Sequence, residues 1–259
     1  MHKVPEIRNP LIMNQSYKTT GIIIGKRDFM EADKILIVFT QDLGKIQIKA
    51  KGLRRTLAKM AGHLEMFNFV ELELVKGKTF YIVIGAQIID SFSSIKENYE
   101  KMGLYYYFCE VLDKILEEGV RHKNTFAFFI GILRELKKED ADVLLLTIFF
   151  ELNILSSLGF KPEFLVCVGC RDEVAGHKFF FSQDKGGVLC ESCGQHDFFS
   201  SQISQNAIKL MRLVLLKDFE IFSRLKMERV VPEEVKKINV FFLEHILGKD
   251  LKSKQFLSI

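Results

Sequence analysis

The sequence has no hydrophobic run long enough to cross a membrane, and its N-terminal region gives no indication of export. Its longest apolar runs, such as 143–150, are far shorter than the roughly 20 residues that a transmembrane helix needs. Glu6, Arg8 and Asn9 interrupt the N-terminal region before the apolar segment of a signal peptide develops. We therefore expect a cytoplasmic protein that makes no membrane contact.

Recognisable catalytic motifs are also missing. The sequence contains no glycine-rich phosphate loop, no H-E-x-x-H and no G-x-S-x-G. The full zinc-deaminase signature, H-x-E followed by P-C-x-x-C, is absent, which argues against a zinc-dependent nuclease or deaminase. Asp28, Glu31 and Asp33 form an acidic cluster that is better explained as a solvated loop than as a metal site. We therefore expect a protein that is not an enzyme.

Apolar material for a large core is present, since 48% of the 259 residues are hydrophobic. A chain of this length is expected to form about two domains. The formal net charge of +4 only weakly favours a polyanionic partner. The distribution of the charge along the chain is therefore more informative than its sum.

The N-terminal part has the two-residue period of β-strands. Ile46, Ile48 and Ala50 alternate with polar residues, so one face of that strand is expected to be buried and the other solvated. Helical spacing at 55–66 predicts a short plug helix. Five strands with a helix between the third and fourth are the order of an oligonucleotide-binding (OB) barrel. The predicted strands span 20–25, 34–40, 45–50, 70–75 and 80–89.

After Ser94 the hydrophobic period changes to about 3.6 residues, which is typical of helices. Apolar stripes predict helices around 102–116, 126–133 and 145–155. Ser204 is a predicted helix cap, and Pro232 is predicted to begin the last helix. We therefore expect a helical domain after the barrel.

Four of the five cysteines form two close pairs with the pattern C-x₂-C-x₁₉-C-x₂-C. This spacing is typical of a zinc site with four thiolate ligands, and Gly169 and Gly194 are expected to give the two turns their backbone freedom. Four thiolates leave no open position for a reactive water, so the predicted zinc is structural. The predicted ligands are Cys167, Cys170, Cys190 and Cys193.

Other chemistry for these thiols remains open. An iron–sulfur cluster, disulfide bonds or a redox dithiol would use the same residues. His177 and His196 lie near enough in the sequence to replace one thiolate, whereas Cys109 is expected in the core. Disulfides are rare in proteins without an export signal, which favours metal.

These patterns together predict an α+β protein. We expect an N-terminal five-stranded OB-fold barrel followed by an α-helical domain with an inserted four-cysteine zinc module. The predicted division is a leader at 1–16, the barrel at 17–94, the first helical part at 95–165, the zinc module at 166–199 and the second helical part at 200–259.

The densest positive stretch lies between residues 45 and 64, which include no acidic residue. Lysines on one strand face, followed by an arginine-rich loop, would form a track that neutralises several phosphates. The alternative is a solvated strand face that binds no ligand. Phe29 and Phe39 are candidate platforms for base stacking, but the sequence is equally consistent with core or loop positions for both. The predicted nucleic-acid-binding residues are Lys45, Lys49, Lys51, Arg54, Arg55 and Lys59.

Two parts of the chain resemble the RecO family. The segment 21–55, GIIIGKRDFMEADKILIVFTQDLGKIQIKAKGLRR, is similar to the opening of RecO proteins, with a glycine-led strand and a basic G-x-R-R loop. A second similarity covers FELNILSSLGFKPEFLVCVGC at 150–170 and GGVLCESCG at 186–194. The resemblance extends over nearly the whole chain from about Tyr17.

The resemblance implies the same three parts: an OB-fold barrel, a helical domain and a zinc module. It also implies a bacterial recombination mediator that binds single- and double-stranded DNA and anneals complementary strands. Together with RecR, such a protein helps to load RecA onto DNA covered by single-strand-binding protein. The basic barrel residues and the four paired cysteines correspond to the DNA surface and the zinc ligands of the family.

The acidic, apolar tail of single-strand-binding protein requires a groove with cations at its rim. We expect this rim beside the helix at 126–133, and the alternative is that its charges serve only solubility. A zinc-bearing adaptor or structural protein without DNA contact is the alternative function. The candidate rim residues are Arg121, Lys123, Arg134, Lys137 and Lys138.

Overall fold

The structure is a computed structural model that describes residues 16–53, 60–174, 176–216, 219–223 and 228–257. These residues form two compact units. The first contains the chain up to Ser91 together with Leu116–His122. The second contains Phe92–Ile115 and the described residues from Lys123 onward.

The first unit is a closed barrel in which the strands lie in the order β1-β2-β3-β5-β4. Neighbouring strands are antiparallel except β3 and β5, which pair in parallel. This arrangement confirms the predicted five-stranded barrel. The strands are β1 (Ser16–Phe29), β2 (Asp33–Thr40), β3 (Gly44–Ala50), β4 (Phe69–Lys76) and β5 (Tyr81–Asp90).

The predicted alternation in β3 is confirmed. Ile46 and Ile48 are buried in the barrel core, whereas Lys45 and Lys49 are half-buried on its outer side. Successive side chains of a strand point to opposite faces, so the apolar interior places the lysines together outside. The barrel core therefore determines where the basic face of β3 lies.

The plug helix predicted at 55–66 is not formed in its described part. Residues 54–59 lie outside the described residues, and 60–67 form turns in which the Leu64 N–H donates to the Met60 carbonyl over 3.1 Å. Met60, Leu64 and Met66 nevertheless pack against the barrel core. The apolar spacing thus predicted burial correctly and the backbone conformation wrongly.

The second unit is built around helices, as predicted. The Ser204 cap is confirmed, because its Oγ accepts a hydrogen bond from the Ala207 N–H at 3.1 Å. No helix of the described residues combines the length and apolar character that membrane crossing requires. The helices are α1 (Ser93–Lys96), α2 (Tyr99–Ile115), α3 (Lys123–Leu136), α4 (Val143–Ser157), α5 (Glu191–Gly194), α6 (Gln205–Leu216), α7 (Phe219–Ser223), α8 (Val230–Leu247) and a 3-10 helix at Lys252–Leu257.

A small sheet in the cysteine segment was not predicted. Its central strand is β6 (Phe179–Ser182), which pairs with β7 (Gly187–Cys190) and β8 (Ser200–Ile203). Gly186 has a φ of +64° in the turn before β7, a backbone conformation that glycine adopts without steric cost. The sheet and the helices together confirm the predicted α+β class.

The helical core encloses a carboxyl group. Glu151 on α4 is fully buried, and its Oε1 lies 2.6 Å from the Tyr107 hydroxyl that donates to it. Among the described residues, Glu151 Oε2 and the amide of Asn239 have no hydrogen-bond partner. Burial raises the pKa of Glu151 to about 8, although the Tyr107 hydrogen bond, the Asn239 amide and the Lys236 charge favour ionisation. Burial therefore favours the protonated form of Glu151 over the carboxylate.

We predict that Glu151 makes a contribution to the free energy of unfolding that falls as the pH rises from about 5 to about 8. The folded state keeps the Glu151 proton in this interval, whereas an unfolded glutamate with a pKa near 4.5 has lost it. Because the folded state then binds more protons, the slope is negative and approaches roughly 1.4 kcal/mol per pH unit for one group. Glu151→Gln should remove this contribution while keeping an oxygen for the Tyr107 hydrogen bond. Urea unfolding across this pH interval measures both slopes, and an equal slope in the variant would contradict the buried neutral carboxyl.

Candidate metal centre and nucleic-acid interface

Four cysteine thiols meet in the second unit, where their Sγ atoms all lie within 4.8 Å of one another. Cys190 Sγ is 3.8 Å from Cys167 Sγ and 3.9 Å from Cys170 Sγ. A tetrahedral ion with sulfur ligands at about 2.3 Å requires sulfur–sulfur separations of about 3.8 Å. None of these described cysteines forms a disulfide bond. The geometry therefore fits a tetrahedral metal ion better than a pair of disulfides.

Two turns bring the thiols together. Cys190 ends β7 and its N–H donates to Cys167 Sγ over 3.4 Å. Burial raises the pKa of Cys167, but the N–H groups of Cys170, Cys190 and Gly169 outweigh burial and lower this pKa to about 6. The thiolate is the form of cysteine that binds metals, so the backbone prepares Cys167 as a ligand.

The glycines of the two turns have a different role from the one predicted. Neither Gly169 nor Gly194 is among the described residues with a positive φ. A Cβ at Gly169 would lie 2.9 Å from Cys193 Sγ, and a Cβ at Gly194 would lie 2.3 Å from the Phe180 ring. Both positions need glycine because neighbouring side chains approach the backbone closely, and unusual backbone angles are not the reason.

The remaining cysteine and the nearby histidines lie outside the thiol cluster. Cys109 is buried in α2, as predicted. His196 Nδ1 is 2.8 Å from the Ser192 carbonyl, and His177 is exposed. Within the described residues, the cluster of possible metal ligands contains the four cysteines alone. This composition makes replacement of a thiolate by histidine unnecessary.

The described lysines of the predicted nucleic-acid-binding set lie on β3 or directly after it. Lys45 and Lys49 are half-buried on the outer face of the strand, and Lys51 is exposed in the following turn. These three positive charges therefore accompany one strand. Outside the described residues lie the other candidates, Arg54, Arg55 and Lys59.

Lys49 is held by an anion and an aromatic ring. Its Nζ lies 2.9 Å from Asp33 Oδ2 and 4.9 Å from the centroid of the Phe29 ring. Asp33 Oδ1 also accepts the Gly52 N–H over 2.8 Å. The Gly52 hydrogen bond and then the Lys49 hydrogen bond lower the pKa of Asp33. The charge of Lys49 is therefore partly compensated, which the spacing along the sequence did not indicate.

One cation beside this face was not among the predicted residues. Arg27 on β1 donates from its Nη2 to Gln47 Oε1 over 2.6 Å, and Gln47 lies between Lys45 and Lys49 on β3. The side chain of Arg27 crosses β2 to reach Gln47, since β2 pairs with both strands. The barrel topology, taken with an exposed strand position, is the signal that would have identified Arg27.

The two aromatic residues considered as stacking platforms differ in accessibility. Phe39 is fully buried, whereas Phe29 is half-buried and meets Phe80 edge to face with ring centroids 5.9 Å apart. An aromatic ring beside cations is typical of surfaces that bind single-stranded nucleic acid. Of these two residues, only Phe29 offers a partly exposed ring.

The residues predicted to form a cationic rim are divided between the two units. Arg121 belongs to the first unit, where its Nη2 lies 2.8 Å from Asp42 Oδ1. Lys138 pairs with Glu135 at 2.6 Å, so its charge is partly compensated. The rim residues of the second unit, which lie on α3 or directly after it, are Lys123, Arg134, Lys137 and Lys138.

Two family models match the chain. The model described as "Recombination protein O N terminal" matches residues 13–92. The model described as "Recombination protein O C terminal" matches residues 96–255. These matches cover both the barrel and the helical part with the four cysteines.

Curated relatives match over almost the same extent. The DNA repair protein RecO of a Roseiflexus species is 32% identical over 241 residues, which cover 93% of this chain and 84% of that protein. RecO of Dehalococcoides mccartyi is 32% identical over 237 residues, covering 92% and 93%. RecO of Symbiobacterium thermophilum is 31% identical over 246 residues, covering 93% and 96%.

We predict that Asp33 keeps part of its lowered pKa in a Lys49→Gln variant. The Gly52 N–H is the largest cause of the shift and does not depend on the lysine. NMR titration of the Asp33 carboxyl should show a partial rise toward 3.8. The stability that this carboxylate supplies is present above that pH and is lost as the pH falls through its lower folded-state pKa. Lys51→Gln is the control with a smaller expected effect, and a complete return to 3.8 in Lys49→Gln would contradict the assigned cause.

Proposed function

Because the chain belongs to the RecO family of DNA repair proteins, we propose that it is a recombination mediator that binds single- and double-stranded DNA and anneals complementary strands. With RecR it helps RecA to load onto DNA covered by single-strand-binding protein. Strand annealing requires no covalent step. The proposed role is therefore consistent with a RecO family protein that catalyses no reaction.

The observation that carries this proposal is the set of cations beside β3. Lys45, Lys49 and Lys51 follow one strand, and Arg27 reaches the same face from β1. Cations at this spacing can neutralise consecutive phosphates and lower the repulsion between two strands. A surface that contacts phosphates leaves the base edges free to pair. Arg54, Arg55 and Lys59 extend this proposed DNA surface along the sequence.

Lys51 is exposed, whereas the other described lysines of β3, Lys45 and Lys49, are half-buried. Lys51 forms no ion pair with any residue that the structure describes. Lys49, in contrast, must exchange Asp33 for a phosphate. We therefore expect Lys51 to contribute more to DNA binding than Lys49.

We further propose that the four-cysteine cluster holds a structural Zn²⁺. Cys167, Cys170, Cys190 and Cys193 supply four sulfur ligands at separations that suit this ion. Zinc with four thiolates has no open coordination position and supplies folding free energy instead of chemistry. The residues themselves connect β7, α5 and the turn at Cys167, so the ion would fasten this module.

The partners proposed from the family are DNA, RecR, single-strand-binding protein and, indirectly, RecA. The tail of single-strand-binding protein is acidic and apolar, so it requires cations beside apolar surface. We propose Lys123 and Arg134 of α3 as the main contacts. Both are exposed, and neither forms an ion pair with another described residue. Arg121 is a weaker candidate, because Asp42 already compensates its charge.

We predict that Lys51→Gln weakens single-stranded DNA binding and lowers its salt dependence. Loss of one phosphate contact should reduce the slope of log K against log salt by about 0.7. Lys18→Gln is the matched control, because Lys18 is an exposed lysine of the same barrel that lies on β1 opposite Glu73 of β4. Fluorescence anisotropy across a salt series measures both variants. An unchanged slope for Lys51→Gln, or an equal decrease for Lys18→Gln, would remove Lys51 from the DNA surface.

Annealing of complementary strands coated with single-strand-binding protein tests the function itself. We expect faster annealing with the protein than without it, and a smaller acceleration with the Lys51→Gln variant. Addition of RecR should then promote RecA filament formation on the same coated DNA. A folded protein that binds no DNA and accelerates nothing would favour the zinc-bearing adaptor.

We predict that Cys190→Ser lowers the zinc content from about one ion per chain and lowers the melting temperature, because a structural zinc site contributes to folding. Cys109→Ala is the control, since Cys109 is a buried thiol outside the cluster. Metal analysis by mass spectrometry and thermal unfolding measure the two effects. Retention of a full zinc equivalent in Cys190→Ser would defeat the assignment. Detection of iron together with acid-labile sulfide would show that the four cysteines hold an iron–sulfur cluster instead of zinc.

A further inference from the structure

A segment from the helical part of the sequence lies along the start of β3. This segment, Leu116–His122, is called the strap here and belongs to the first unit. Lys45 and Glu118 form an isolated parallel bridge, and the Gly119 N–H donates to the Lys45 carbonyl over 2.8 Å. The strap therefore continues the hydrogen bonding of the barrel beyond β3.

Two further contacts fasten the strap. Arg121 Nη2 lies 2.8 Å from Asp42 Oδ1 in the turn before β3. Gly44 has a φ of +69°, and a Cβ there would lie 2.0 Å from the Val120 carbonyl oxygen. Because only glycine permits this approach, the strap packs closely against the start of β3.

The strap brings a carboxylate onto the basic face. Glu118 Oε2 accepts a hydrogen bond from Gln47 Nε2 at 2.8 Å, and the Oε1 of the same glutamine accepts from Arg27. Gln47 lies between Lys45 and Lys49 on the outer side of β3. Glu118 thus places its negative charge among cations of the proposed DNA surface.

A carboxylate and a phosphate compete for the same hydrogen-bond donors and the same positive charges. Both present oxygen acceptors to amide and guanidinium donors, and both are attracted by lysine. We propose that Glu118 sets the DNA affinity of the β3 face, because an approaching phosphate meets its charge and competes for Gln47. This inference rests on the proposed function, since it concerns the same DNA surface.

A limited affinity suits a protein that anneals strands. The protein must hold two strands long enough to pair and must then leave the duplex. A carboxylate on the strap weakens each phosphate contact at the Lys45 end of β3, while Lys51 lies at the other end of the strand. The strap therefore places a second carboxylate at the Lys45 end of the face, in addition to the Asp33 carboxylate at the Lys49 end.

The Glu118→Gln variant tests this inference in the full-length protein. Glutamine keeps the shape of the side chain and an oxygen that accepts from Gln47, so the strap stays in place without its charge. We expect the Kd for a single-stranded oligonucleotide to fall about fivefold at low salt, the effect of one charge at close range, and less at high salt. Glu118→Ala, which removes the charge and the hydrogen bond, should tighten binding in the same direction.

Glu71→Gln is the matched control for net charge. Glu71 is exposed on the outer side of β4, between Thr20 and Gln87 on the neighbouring strands, and changes the net charge by the same amount. Its Kd should stay within about twofold of the unaltered protein, because β4 does not pair with β3 in the barrel. Equal tightening by Glu71→Gln and Glu118→Gln would overturn the inference in favour of net charge alone.

Lys51→Gln separates failure of the inference from failure of the proposed DNA surface. If Lys51→Gln weakens binding and neither Glu118 variant tightens it, the β3 surface stands and the role of Glu118 is overturned. If none of the three variants changes the Kd, the DNA surface and the inference are both wrong. Tightening by the Glu118 variants with weakening by Lys51→Gln is the expected result.

Discussion

Side chains on β3 must point alternately into the barrel and out to solvent, and the proposed DNA surface depends on this constraint. Ile46 and Ile48 occupy the core, so Lys45 and Lys49 have no place except the outer face. A shift of the strand register by one residue would bury both lysines and expose the isoleucines. The hydrophobic effect in the barrel therefore positions the charges, although the charges contribute nothing to the core.

Two cations on this face, Lys49 and Arg27, are restrained by neighbouring side chains. Asp33 pairs with Lys49, and Gln47 connects Arg27 to Glu118. Each restraint fixes a side chain in space and lowers its net attraction for an anion, since the paired charge must be displaced or tolerated. The result is a surface with positive charge but few fully available cations. Such a surface suits transient contact with phosphates, whose binding energy depends strongly on salt.

Different interactions stabilise the second unit. Its cysteine module has a small sheet and two tight turns, and four thiols in tetrahedral spacing supply a crosslink when they hold a metal. Its helical core contains Glu151 as a neutral carboxyl, because ionisation in that place is more costly than retention of the proton. Metal is therefore expected to act on this unit through the thiols, whereas Glu151 makes a separate contribution to the pH dependence of its stability.

The sequence alone determined the features that depend on local period or spacing. Alternating residues predicted the barrel strands, apolar stripes predicted the helices, and the paired cysteines predicted the thiol cluster, because each signal is contained within a few neighbouring residues. Only the tertiary structure decided which charges meet. Glu118 reaches Gln47 across 71 positions of the chain, and Arg27 reaches it across 20. Contacts between distant residues depend on strand register and on the path of the strap, which neither period nor spacing records.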